Sequence, residues 1–257
     1  MSSTTASQTI EDVIEQMDLV IARCIKEKSK IGYFAVLYRD VTVQVSKMIK
    51  NKEFENNERM ERLDVVFANR FLEAVDQYWK NDKPSKSWLV AFENSKLNSP
   101  IILQHLLLGM NAHINLDLAI ATAQVAPGAL LPQIKNDFQK IMQLLSNMID
   151  GVQARIEEVS PFIKLIDRLG DRTDEMIAGF AVNKARDLAW ITAEKLAVET
   201  PEQFNKSYEF HDDIVSLLAN VITKPGIIAR TCFWIIRLRE SKDVIKVIDA
   251  LQMQNRI

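Results

Sequence analysis

The chain has 257 residues, 47% hydrophobic and 26% charged, the balance of a globular protein rather than a disordered one. Seven glycines and seven prolines are under half of average usage, roughly 12% together. That excludes the sandwiches, barrels and propellers that need one punctuated turn after another. Lys and Arg number 32 against 34 Asp and Glu, a net charge of −2, so no whole-chain basic field points to nucleic acid.

In chain order, residues 1–9 read as a flexible N-terminal tail, with Thr9 a helix N-cap ahead of Glu11 and Asp12. Helical spacing of Val13, Ile14, Met17, Val20, Ile21 and Cys24 predicts a helix over 10–28. A second is expected over 31–50, although Val41, Thr42 and Val43 locally prefer strand. The polar run 51–59 reads as a loop, and helices follow over 60–79 and 88–93. Ser99-Pro100 opens a central helix, with Pro100 at its first position, lasting to about 124 and stopped by Pro127-Gly128. Leu131-Pro132 starts a long helix to 159, Ser160-Pro161 a short one ending near 170, and 174–198 another. Thr200-Pro201 caps the next; after the break at Lys224-Pro225-Gly226, two helices close the chain. The fold class is therefore all-α: a single bundle of about ten helices around a central buried helix at about 100–124, with 10–257 one helical domain.

The N-terminus has no basic start followed by an apolar run, so no signal peptide is expected. No stretch reaches about 18 uncharged apolar residues. The nearest, 101–126, is interrupted by His105, Asn111, His113, Asn115 and Asp117. These features predict a cytoplasmic protein without a transmembrane segment. Cys24 and Cys232 each sit in an apolar helical pattern and read as reduced core thiols.

The chemistry concentrates in the central helix. Two of the three histidines lie there, in His105-LLLGMNA-His113-INL-Asp117. At about 100° per residue, with His105 at the origin, Gly109, His113 and Asp117 fall at about 40°, 80° and 120°, a single stripe. Asn111 and Asn115 form a second polar line on the opposite side. Polar stripes in an apolar helix must meet water, partners or a ligand. Gly109, costing about 1 kcal/mol relative to Ala in mid-helix, implies close approach by a neighbouring helix or a bound molecule. His113 and Asp117, one turn apart, could share one divalent metal ion, or simply bond each other. His105 lies about 12 Å along the axis and would act as a separate acid/base group.

Other polar groups could complete such a groove: Tyr38 with Arg39, Asp40 and Thr42; Glu61, Asp64 and Arg70 beside Phe67 and Phe71; Arg186, Asp187 and Trp190; and His211-Asp212-Asp213. Absent motifs narrow the field. There is no E-x-x-H, H-E-x-x-H, P-loop, G-x-G-x-x-G or G-x-S-x-G, so neither a nucleotide nor a flavin is signalled.

The block LLLGMNAHINLDL at 106–118 resembles the signature of a family of mostly bacterial proteins of unknown function, and 38–42, 62–71 and 88–92 look similar to its other blocks. The resemblance implies an all-helical fold and no agreed activity. It also implies that Asn111, His113, Asn115 and Asp117 form a unit, with Asp64, Arg70 and His105 as neighbours.

Two readings follow. In the first the protein is an enzyme acting on a small or lipid-like molecule by hydrolysis or a proton-transfer isomerisation or cyclisation. His105, His113, Asp117, Asp64 and Arg70 would then be catalytic, and Gly109, Asn111, Asn115, Tyr38 and Trp190 ligand-binding. In the second it is a non-catalytic helical protein that binds a hydrophobic ligand or a protein partner. A homo-oligomer is compatible with either. In addition, Arg230, Arg237, Arg239, Lys242 and Lys246 against Phe233, Trp234, Ile235 and Ile236 form a basic segment with an apolar face, a pattern that can lie on a membrane or a partner helix.

Overall fold

Apolar residues at helical spacing, few turn-formers and local caps produce helices and nothing else among the described residues of the computed structural model, 6–166 and 182–252. The segment expected to end near 170, the start of the helix expected at 174, and the last five residues lie outside that description.

Helix α1 (Ile10–Glu27) starts at a reciprocal cap: the Thr9 hydroxyl accepts from the Asp12 amide, and the Asp12 carboxylate from the Thr9 amide. The tail before it is tied down at Ser7, whose backbone exchanges two hydrogen bonds with the Asn69 side chain, so 1–9 is not a free tail throughout. Helix α2 (Ile31–Lys50) keeps its β-branched run helical because that face is buried, and the Thr42 hydroxyl donates back to the Tyr38 carbonyl at 3.2 Å. Helix α3 (Asn57–Trp79) begins three residues before expectation: Asn56, inside the polar run, caps the Arg59 amide. Asp137 holds the preceding turn by accepting from the amides of Glu55 and Asn56.

Helix α4 (Lys86–Ser95) and the central helix α5 (Ile102–Val125) are capped from far away in sequence. Asp212 accepts from the amides of Lys86 and Ser87, and Glu240 from the amide of Ile102. Pro100 is therefore not the first helical residue; it precedes the cap position, Ile101. Residues Gly128–Ile134 form a 3-10 segment, and α6 (Lys135–Val159) starts only beyond Pro132, which has no amide to give an α-helical ladder. Ser160-Pro161 is followed by a single 3-10 turn, Ile163–Leu165. Helices α7 (Val182–Leu196), α8 (Pro201–Thr223), α9 (Ile227–Arg239) and α10 (Val244–Leu251) complete the described chain. Thr200 and Gln203 form the expected cap of α8, with Pro201 in its first turn.

The architecture is an all-α, multi-helix bundle of ten helices among the described residues. Helices α2, α3, α4, α7 and α8 surround α5. By length and composition α5 could cross a membrane, but 94% of its most apolar window is buried inside the bundle, as in the core helix of a bundle. One apolar cluster runs from Ile10 to Leu251. Both cysteines are buried and free, and burial pushes the Cys24 thiol up to about 12.

Candidate functional site

The polar stripe of α5 does not continue as a regular helix. Residues Asn111–Asp117 are wound as a π-helix, with the Leu118 amide reaching back five residues to the His113 carbonyl. Such turns inside α-helices cluster at functional sites, and nothing in the 3.6-residue pattern announces one.

The π segment sends its polar groups two ways. Toward α8, the Asn111 amide donates to the Val215 carbonyl and the Asn115 amide to the Asn111 side-chain oxygen. His211 donates from Nε2 to the Asn115 carbonyl at 2.7 Å. Asn111 and Asn115 therefore fasten a neighbouring helix; neither lines the main cavity, and their expected ligand-binding role is corrected.

Toward α3 and α4, Asp117 receives three donors. Arg70 Nε lies 2.9 Å from Oδ1, Trp88 Nε1 2.8 Å from Oδ2, and His113 Nδ1 3.2 Å from Oδ2. The carboxylate is paired with the Arg70 guanidinium, so His113 Nδ1 must donate to it. Burial lowers the His113 pKa; the Asp117 bond works against that and the Arg70 charge with it, leaving the ring neutral. A neutral ring that donates from Nδ1 carries a bare lone pair on Nε2, and that nitrogen has no protein partner. The ring is fixed by stacking on Phe67, centroids 3.7 Å apart, and by the edge of Tyr38 at 4.1 Å. Arg70 is held in turn over the Tyr208 ring at 5.7 Å.

His113 lines a cavity of about 310 Å³ between α2, α3, α5 and α6. Its walls are aliphatic and aromatic, and only Tyr38, Asp64, His113 and Gln153 among the lining residues bring polar side chains. Gln153 is exposed, and its neighbours Leu145, Met148 and Val152 are half-buried, so the cavity reaches the surface beside α6. The other three are buried, and each has one atom without a partner: Tyr38 Oη, Asp64 Oδ2 and His113 Nε2. Burial, with the Glu61 charge adding to it, pushes the Asp64 carboxyl up to about 8, so it is protonated at neutral pH. Burial likewise holds the Tyr38 phenol well above its usual range. One cavity thus holds an unprotonated imidazole, a protonated carboxylic acid and a phenol.

The rest of the predicted stripe is cut off. The Phe34 ring lies so close to Gly109 that a Cβ there would sit 2.5 Å from Phe34 Cγ, so Gly109 admits a neighbouring side chain, not a ligand. Phe34 is the wall between the main cavity and a small one, about 20 Å³, that holds His105. His105 packs edge-on to Tyr33 with both nitrogens unpaired, and burial lowers its pKa to about 3. It is not part of the His113 site. Trp190 is also elsewhere: it donates to Glu194 and packs against Phe138. As for the metal ion, His113 and Asp117 are arranged as partners of each other rather than as joint ligands. Among the described residues no group of three or more His, Cys, Asp or Glu could hold one.

Of the expected site residues, the structure therefore brings together His113, Asp117, Arg70, Asp64 and Tyr38, and sets apart His105, Gly109, Asn111, Asn115 and Trp190. Sequence reasoning missed Trp88 as a donor to Asp117, Phe67 as the plate under His113, and the α6 wall. Leu145, Met148 and Val152 lie at helical spacing, which marks an inward face but not that the face borders open space.

The sequence model of DUF5995, a family of unknown function, matches residues 10–225. The chain belongs to this family. No curated protein and no solved structure matches it. The DUF5995 match agrees with the resemblance read from the sequence, a family without an assigned activity, and the fold is helical as that resemblance implies. It takes in the cavity and the whole Asp117 network, and stops before α9.

Proposed function

We propose that this DUF5995 protein is an enzyme that encloses one small, apolar or lipid-like molecule and moves a proton between two of its atoms. His113 Nε2 removes a proton from the bound molecule, and the Asp64 carboxylic acid delivers one at a second position. The net change is an isomerisation of a double bond or a cyclisation; the imidazolium proton then returns to the Asp64 carboxylate. Asp117, held by Arg70 and Trp88, keeps the imidazole in the tautomer that exposes Nε2 and stabilises the imidazolium that forms. Tyr38 supplies a hydrogen bond to an oxygen of the molecule.

One observation carries this reading: three buried residues that line one apolar cavity each hold a polar atom without a protein partner, and two of them are groups shifted in opposite senses, acid protonated and base free. Each such atom costs about 1–3 kcal/mol unless something meets it. The cavity volume falls within the range for small-molecule sites, about 300–1,000 Å³. Water activated by His113 would give hydrolysis instead; no Ser, Thr or Cys is among the described lining residues, so that route would rest on water alone as the nucleophile.

The test is exchange in deuterium oxide. A panel of medium-chain enones and β,γ-unsaturated ketones is incubated with the protein and read by mass spectrometry. Wild type should place deuterium at the acidic carbon. His113→Gln and Asp64→Asn, checked by circular dichroism for folding, should each slow this by about 10²-fold or more. Panel members that displace a neutral apolar dye from the cavity yet exchange no faster than in buffer would leave a binding protein, the second reading, in place of an enzyme.

A further inference from the structure

Helix α9 leaves one face uncovered. Ile227 is 82% exposed, Trp234 63%, Ile228 59% and Leu238 57%, while Cys232, Phe233 and Ile236 are buried. At about 100° per residue, Ile227, Ile228, Thr231, Trp234, Ile235 and Leu238 share one arc about 120° wide, and the buried residues lie opposite. The same counting puts Arg230 and Arg237 on one margin of the arc and Arg239 on the other. The helix holds three arginines and no acidic residue, in a chain of net charge −2. Arg237 is anchored, donating to the Asn98 carbonyl and pairing with Glu240, whereas Arg230 and Arg239 are exposed at the two margins. The preceding helix α8 also exposes a stripe at helical spacing, Phe210, Leu217 and Val221.

Sequence reasoning placed Phe233 and Ile236 on the apolar face of this segment. The structure uses them as core and leaves Trp234 and Ile235, with Ile227, Ile228 and Leu238, outside. An exposed apolar arc that includes a tryptophan and is edged on both sides by guanidinium groups fits a headgroup layer, where apolar side chains enter the acyl boundary and arginines reach phosphate. Self-pairing fits poorly, because face-to-face copies of α9 would set arginine margins against arginine margins.

We propose that Ile227–Arg239 is a membrane-interface helix that docks the protein on an anionic phospholipid surface. The argument is independent of the chemistry proposed for the cavity, and its test does not use that chemistry.

Full-length protein is sedimented with phosphatidylcholine vesicles, with and without phosphatidylserine, at low and high salt. Wild type should sediment with the phosphatidylserine vesicles at low salt, be released at high salt, and show a blue-shifted tryptophan emission that Trp234→Phe removes. Trp234→Glu and Leu238→Glu, both at exposed positions, should stay folded and lose binding. Arg230→Gln with Arg239→Gln should weaken it roughly twenty-five-fold, about five-fold per basic residue. Absence of wild-type binding at low salt would overturn the proposal, as would binding unchanged in Trp234→Glu. So would a dimer in vesicle-free solution, seen by light scattering, that Trp234→Glu dissociates, since a second copy would then cover the face.

Discussion

Asp64 and His105 are buried titratable groups whose shifts have opposite consequences for stability. Asp64 has its carboxyl raised to about 8 in the fold, against about 3.9 in an unfolded chain. Its favourable contribution is complete below the unfolded value and declines as pH rises toward the folded one, by roughly 1.4 kcal/mol per pH unit. Asp64→Asn keeps the shape of the protonated acid and removes that dependence. Its stability relative to wild type should therefore climb between pH 4 and 8 and level off above, measured by thermal melts across that range. His105 behaves in the other sense, with a folded pKa of about 3. Its contribution is present above the unfolded value, about 6.5, and is lost as pH falls toward the folded one. His105→Leu should be at least as stable as wild type at pH 7 and increasingly more stable below pH 6. Because Phe34 walls it off from His113, the same variant should retain deuterium exchange at near wild-type rate. Tyr38, Asp64, Arg70, His113 and Asp117 were legible as candidate site residues because each is a polar group on an otherwise apolar helical face. Which of them would converge was not, because a stripe on one helix says nothing of the ring a second helix inserts across it.

At the scale of elements, two mid-helix glycines with the same intrinsic helix penalty should respond in opposite ways to alanine. In Gly109→Ala the new methyl meets the Phe34 ring at 2.5 Å, forcing α2 and α5 apart. Overpacking of this kind costs about 1–3 kcal/mol and outweighs the propensity gain, so the melting temperature should fall. At Gly151 nothing beyond its chain neighbours and its own helix backbone lies within 4 Å of the added methyl, and Gly151→Ala should stabilise by about 0.5–1 kcal/mol. Urea titrations of the two variants beside wild type check both signs. The same division governs helix boundaries. Ends fixed by a neighbour, at Thr9 and Thr200, could be read directly, as both caps reside in a few adjacent residues. The starts of α4 and α5 were less legible: beside local acceptors in Ser85 and Gln104, their amides bond to Asp212 and Glu240, which lie more than 100 residues away.

For the whole molecule, scarce glycine and proline with unbroken helical periodicity were enough to give an all-helical bundle around a buried central helix. The cavity was hidden for a simple reason: the leucines, isoleucines and methionines that border open space carry the same pattern as those that fill it. Hidden also was the π turn, and under the proposed chemistry it would separate folding from exchange. A ring closed over five residues contains one residue more than an α-helical ring. The stretches before and after it are already in phase with each other, so the turn behaves as a surplus that the helix has absorbed. Deleting Ala112 should let 111–117 rewind as ordinary α-helix with Ile102–Met110 and Leu118–Val125 undisturbed. Circular dichroism and the cooperativity of unfolding should survive, while His113 is swung off its perch between Phe67 and Tyr38 and exchange is lost. Deleting Ala121, beyond the turn, offers no such surplus and should throw the rest of the helix out of phase and cost the fold itself. At this site chain length, as well as side-chain identity, would divide a bundle that only folds from one that carries out the proposed exchange.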